Sequence, residues 1–267
     1  MCFREFTSNG DKMTEQGESP ESGGTFLSVV HWANIAVLAP IGFAIQLALF
    51  LATLPDKNRR IPGRFYRWMA IAASSTSPVW KFKVLKPLPA YRPSNTVVVC
   101  NHQSQADPFL ISHLPWEMKW LSKRTVFFVP VIGWSIGLAG DIPVERGDRE
   151  SAKKAMAKCA SYLKRGMPVM IFPEGTRSRD GNLLPFKDGA FRLAIENGSD
   201  ILPLGAVGTN QAFPKGTWKV GHAEAYVAMG EPISTQGMTL DDVEELKEKT
   251  RQAMQEILDR IRAEKGL

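Results

Sequence analysis

Cysteine is scarce in this chain. There are three in 267 residues, Cys2, Cys100 and Cys159, odd in number and widely spaced. That excludes a disulfide framework and a structural zinc site, and it fits a reducing, cytosolic setting for the folded part. Histidine is nearly as rare, with four, and His113 and His222 have no partner pattern and read as structural. No repeat, no G-x-G-x-x-G stretch and no Walker pattern is present. No zinc-finger or RNA-binding aromatic pattern supports nucleic acid as a partner. From Phe26 to Leu54 there is no Asp, Glu, Lys or Arg.

That uncharged stretch is the first positive feature. A helix needs about 20 predominantly apolar residues to cross a bilayer, and this stretch is 29 residues long. It is too long for a signal peptide, and the region before it is acidic instead of basic. Pro40 and Gly42 in its middle can kink it. Whether it spans or only dips into the bilayer stays open, and a buried core helix is the bland alternative. Residues 1–24 are polar, rich in Gly, Ser and Glu, and read as a disordered tail. Over 55–95, nine basic residues (Lys57, Arg59, Arg60, Arg64, Arg67, Lys81, Lys83, Lys86, Arg92) face Asp56 alone. A basic cluster directly after an apolar segment points to a membrane phospholipid surface and places the rest of the chain on the cytoplasmic face. Ile61 to Ala73 mixes basic and aromatic residues and suits a helix in the headgroup region.

From about residue 80, strand and helix patterns alternate. Strands are expected at Val97–Cys100, Met118–Ser122, Asp141–Val144, Val169–Phe172 and Ile201–Val207, with one or two edge strands within Lys219–Met229. Lys123–Leu138 reads as partly helical, broken by Pro130 and Gly133. Helices are expected over 149–165, over Ala190–Ile195 and from Thr239, as N-cap, to about Glu264. The alternation argues an α/β fold, a single domain with a mixed sheet flanked by helices, preceded by an N-terminal membrane-binding helical segment. The expected organisation is a tail at 1–24, a membrane-binding segment at 25–80 and an α/β domain at 81–267.

Chemistry gathers at the strand ends. Val97–Cys100 stops at Asn101-His102-Gln103-Ser104-Gln105-Ala106-Asp107-Pro108. Imidazole accepts a proton near neutrality, and a carboxylate on its other nitrogen fixes the tautomer. With no obvious nucleophile nearby, the pair suits a base acting directly on a substrate hydroxyl. Asp107 is placed as the N-cap of a following helix with Pro108 in its first turn. Cys100 reads as a core residue. Phe172-Pro173-Glu174-Gly175-Thr176-Arg177 follows another strand. Arg177 offers a planar fork for phosphate, backbone N–H groups around Gly175 and Thr176 can form an anion nest, and Glu174 can accept from hydroxyls or hold an arginine. Lys123 and Arg146 end two further strands and can add charge for a phosphate. A metal-dependent hydrolase using His102 and Asp107 lacks a third suitably spaced ligand. A non-catalytic lipid-binding adaptor leaves the strand-end residues unexplained.

These residues resemble the glycerolipid acyltransferase family. Asn101-His102 through Asp107 is similar to its H-x4-D motif. Lys123, Pro130, Gly133 and Gly140–Arg146 resemble its second block, with Val126 where leucine is usual. Phe172–Ser178 resembles its third block, Phe186–Phe191 the stretch after it, and Ile201–Leu204 its fourth. The likeness covers about 95 to 210 and is strongest to members that acylate lysophosphatidate. It implies transfer of a fatty acyl group from acyl-CoA or acyl-carrier protein to the free hydroxyl of 1-acyl-glycerol-3-phosphate, giving phosphatidic acid, with lyso-ornithine lipid or lysophosphatidylglycerol as other acceptors. His102 would be the base and Asp107 its orienting partner. Lys123, Arg146, Thr176 and Arg177, with the Gly175 turn, would hold the acceptor phosphate, and Glu174 the glycerol. Neither a metal nor another cofactor is implied.

Overall fold

The computed structural model describes residues 24–86, 88, 91–214 and 217–267. The polar tail expected over 1–24 lies outside them except for Gly24. The elements in order are α1 (Thr25–Ala52), α2 (Arg60–Ser75), β1 (Trp80–Val84), β2 (Thr96–Cys100), α3 (Asp107–Ile111), β3 (Lys119–Lys123), a 3-10 turn (Arg124–Phe128), α4 (Ile132–Ala139), β4 (Ile142–Val144), α5 (Arg149–Leu163), β5 (Val169–Ile171), α6 (Gly189–Glu196), β6 (Asp200–Val207), β7 (Ala223–Met229) and α7 (Val243–Lys265). Gly133 does not break its helix. It lies in the first turn of α4, where an added Cβ would fall 2.3 Å from the Phe127 carbonyl oxygen.

The seven strands lie in the order β1-β7-β6-β2-β5-β3-β4. The run from β6 to β4 is parallel, while β7 is antiparallel to β6 and carries β1 parallel to itself. The sheet is therefore mixed. The strand within Lys219–Met229 is not an edge, because Trp80–Val84 pairs along its outer side. Val97, Val98 and Val99 have no exposed surface. Full burial of such side chains stabilises by roughly 1.5–3 kcal/mol each, as expected for a strand covered on both faces. α5, α6 and α7 cover one face, packing on Val97, Val99, Val169 and Ile171. α3 packs on the other, against Val98, Cys100 and Met170, and Cys100 is indeed core.

α1 is long and apolar enough to cross a membrane by length and composition. It is also docked. Three of its polar residues hold it to the protein: Gln46 donates to the carbonyls of Pro62 and Ser135, His31 pairs with Ser77, and Asn34 with Thr76. Three arginines of the basic cluster that follows are committed inward, while Lys57, Arg60, Lys81, Lys83, Lys86 and Arg92 are exposed. Arg67 is buried in an ion pair with Asp141, Arg64 donates to the Leu114 and Trp116 carbonyls, and Arg59 to that of Gly137. Lys119 has no exposed surface and reaches Glu117 and the Arg59 and Ala139 carbonyls. Burial raises Glu117 and lowers Lys119 from their ordinary pKa values, against their mutual attraction. Arg59, Arg64 and Arg67 thus hold the start of α2 against the body of the protein, and the remaining six cations of the cluster stay available to lipid headgroups.

Candidate active site

Parallel strands deliver their carboxyl ends to one edge, where ligands bind in open α/β sheets. β2, β5, β3 and β4 bring His102, the Glu174 turn, Lys123 and Arg146 there, in that spatial order. Register joins the first two. Val99 stands opposite Ile171, so the chains leave the sheet side by side. His102 N–H donates to Glu174 Oε1 at 3.0 Å, and Ser178 N–H donates to the His102 carbonyl at 2.8 Å.

His102 Nδ1 lies 2.6 Å from Asp107 Oδ2, so Nε2 is the nitrogen left to take a proton. The imidazole is 13% exposed and the carboxylate 0%. The ring stacks on Phe172, with centroids 4.1 Å apart. Asp107 Oδ2 also accepts from the N–H groups of Gln103 and Ser104. Asp107 is not the helix N-cap. Ala106 holds that position and Asp107 opens α3, because its carboxylate turns back to the loop instead of forward along the helix.

Glu174 is 3% exposed. Its second oxygen accepts from Leu184 N–H at 3.2 Å, so the carboxylate ties three backbone segments together. Burial pushes it up to about 7, with the His102 and Leu184 N–H bonds opposing the shift. Gly175 has φ +67°, and a Cβ there would meet the Lys187 side chain at 2.8 Å. Its N–H donates to the Phe172 carbonyl and is engaged in the turn itself. Thr176 and Arg177 are exposed. Lys123 and Arg146 are exposed too, on neighbouring strands. Among the described residues neither forms a hydrogen bond or ion pair with His102 or the Glu174 turn.

Residues 81–207 match the family model described as Acyltransferase. The chain is 36% identical over 232 residues to a chloroplastic 1-acyl-sn-glycerol-3-phosphate acyltransferase of Brassica napus, covering 82% of this chain and 66% of that one. It is 36% identical over 193 residues to a 1-acyl-sn-glycerol-3-phosphate acyltransferase of Chlamydomonas reinhardtii, covering 71% and 54%. Residues 81–207 thus form a domain of the acyltransferase family. The chain spans between half and two-thirds of the length of these curated relatives. The fold matches the crystal structure of the 1-acyl-sn-glycerophosphate (LPA) acyltransferase PlsC from Thermotoga maritima, with TM-score 0.71 over 87% of this chain and 95% of that one, at 23% identity.

Several neighbours of the site were not foreseen from sequence. Thr209, buried just past β6, donates through its hydroxyl to Asp107 Oδ1. The signal was available, since Thr209 is a polar residue one position beyond a glycine at the end of a buried strand. Asn101 pairs through both amide atoms with the backbone of Ala206, extending the sheet by one more rung. Arg251 of α7 donates to the carbonyls of Leu183 and Leu184 and so braces the segment whose N–H holds Glu174. Nothing in the local sequence around Arg251 announces that role.

Proposed function

We propose that this acyltransferase moves a fatty acyl group from a thioester donor, acyl-CoA or acyl-carrier protein, to the free hydroxyl of 1-acyl-glycerol-3-phosphate, yielding phosphatidic acid. The observation that carries the reading is the His102–Asp107 pair, held at a strand end and backbone-bonded to the turn bearing Arg177. His102 Nε2 takes the hydroxyl proton as the oxygen attacks the thioester carbonyl. The C–O bond forms, the C–S bond breaks, and the proton passes from His102 to the departing thiolate. Asp107 steadies the imidazolium. Thr176 and Arg177 hold the acceptor phosphate, with Lys123 and Arg146 as further positive charge along the edge, and Glu174 keeps the phosphate turn registered to the base. The scheme calls for no metal.

Both lipids need an oily approach. Val37, Ile41 and Leu51 on α1, Trp68 on α2, and Phe128 and Trp134 around α4 are exposed. These helices pack on one another, so their outer faces suit a membrane, with the α/β domain on its cytoplasmic side. The test is His102→Ala, assayed with lysophosphatidate and both donor types. A general base contributes about 100- to 10,000-fold, and a loss of that size is expected with the circular dichroism spectrum and vesicle binding unchanged. Near-normal turnover would end the proposal.

A further inference from the structure

α5 carries a charge pattern that the fold does not explain. From Arg146 to Arg165 the basic residues are Arg146, Arg149, Lys153, Lys154, Lys158, Lys164 and Arg165, against Asp148 and Glu150. All seven cations are exposed. Arg149 and Lys153 are four apart, as are Lys154 and Lys158, and like charges at that spacing destabilise a helix by a few tenths of a kcal/mol per pair. Among the described residues none of Arg149, Lys153, Lys154, Lys158 and Lys164 has an ion-pair partner. Asp148 is occupied as N-cap, accepting from the N–H groups of Glu150 and Ser151. The other surface helices are built differently. α7 sets Lys247 against Glu244, Lys249 against Glu245 and Arg262 against Asp259, and α6 sets Arg192 against Glu196.

The place of α5 narrows the partner. It packs on the sheet face opposite α3, in the layer with α6 and α7, whereas most of the exposed large apolar residues lie on α1, α2, α4 and the 3-10 turn before α4. A membrane taken by the apolar side does not lie along α5. At 1.5 Å per residue the row from Arg149 to Lys164 runs about 22 Å, too long for one nucleotide and suited to the acidic face of a small protein. The helix also begins just after Arg146, at the sheet edge that carries His102.

We infer that the basic face of α5 docks an acidic acyl-carrier protein, which presents its thioester to the His102 edge from the side away from the lipid. This rests on the acyl-transfer reading and specifies one donor and its route. Long-range charge complementarity of this kind acts mainly on encounter and is weakened by salt.

The experiment compares the full-length protein with the triple variant Lys153→Glu, Lys154→Glu, Lys158→Glu and with its milder counterpart carrying Gln at the same three positions. Palmitoyl-carrier protein and palmitoyl-CoA serve as donors to lysophosphatidate, and titration with palmitoyl-carrier protein reads binding directly. The charge reversal is expected to raise KM and Kd for the carrier protein at least tenfold, Gln less so. KM for palmitoyl-CoA and binding to anionic phosphatidylglycerol vesicles should stay unchanged. Equal loss with both donors, loss of vesicle binding alone, or no change in carrier binding overturns the inference. A wild type inactive with both donors refutes the acyl-transfer reading instead, and the titration still decides whether α5 binds the carrier.

Discussion

Asp107 is completely buried, and its carboxylate accepts from His102, Gln103, Ser104 and Thr209. Three of these donors come from the same loop, so only Thr209 ties the acid to another strand. Thr209→Val keeps the shape and leaves Asp107 Oδ1 short of its donor. A hydrogen bond to a charged group is worth about 1.5–3 kcal/mol, and each ~1.4 kcal/mol is tenfold in rate. We expect kcat to fall roughly 10- to 100-fold with KM for the acceptor little changed and recovery in Thr209→Ser; a variant impaired only in KM would give Thr209 a different task. Glu174 yields a second prediction. Its folded pKa of about 7 lies above the ordinary 4.5, so folding takes up a proton between those values. The stability it contributes is full below about 4.5 and is lost as pH rises through 7. In denaturant titrations the wild type should lose stability relative to Glu174→Gln across that window, and parallel curves would contradict the assignment.

Among the elements, α1 is bound to the body by polar groups set in an apolar helix. Gln46 donates to carbonyls of both α2 and α4, and Gln46→Leu removes both bonds while keeping the helix apolar. At about 0.5–1.5 kcal/mol net for each hydrogen bond lost, the thermal midpoint in detergent should drop and proteolysis between α1 and α2 should quicken; an unchanged midpoint would mean that apolar contact alone docks α1. The elements that were readable from sequence are those whose pattern is local. The valines of β2 and the amphipathic repeat of α5 announce themselves, and so does the Thr239 cap, although it opens a 3-10 turn, Leu240–Asp242, and Asp242 is the N-cap of α7 itself. β1 did not, because Trp-Lys-Phe-Lys-Val carries its charges outward at a sheet edge and looks like part of the basic cluster. The basic cluster was legible as charge but not in its pairings, for a related reason. Composition counts arginines, but only packing shows that Arg67 meets a buried Asp141.

At the scale of the whole molecule, the sheet divides the chemistry between its two faces and its edge. Helices with exposed apolar residues lie on one face and helices with exposed charge on the other. The site was legible in sequence to the extent that it is made of strand ends. His102, Asp107, Glu174 and Arg177 each follow a short apolar run, whereas Thr209 and Arg251 reach it through pairings that only the folded chain makes. The two hydrogen bonds crossing between the His102 and Glu174 loops have a geometric consequence. On the proposed reading they make the proton acceptor and the phosphate holder parts of one rigid gauge. The hydroxyl that is acylated is then chosen by its span from the phosphate, so regiochemistry is set by the backbone of two adjacent strands and not by recognition of the carbon that bears it.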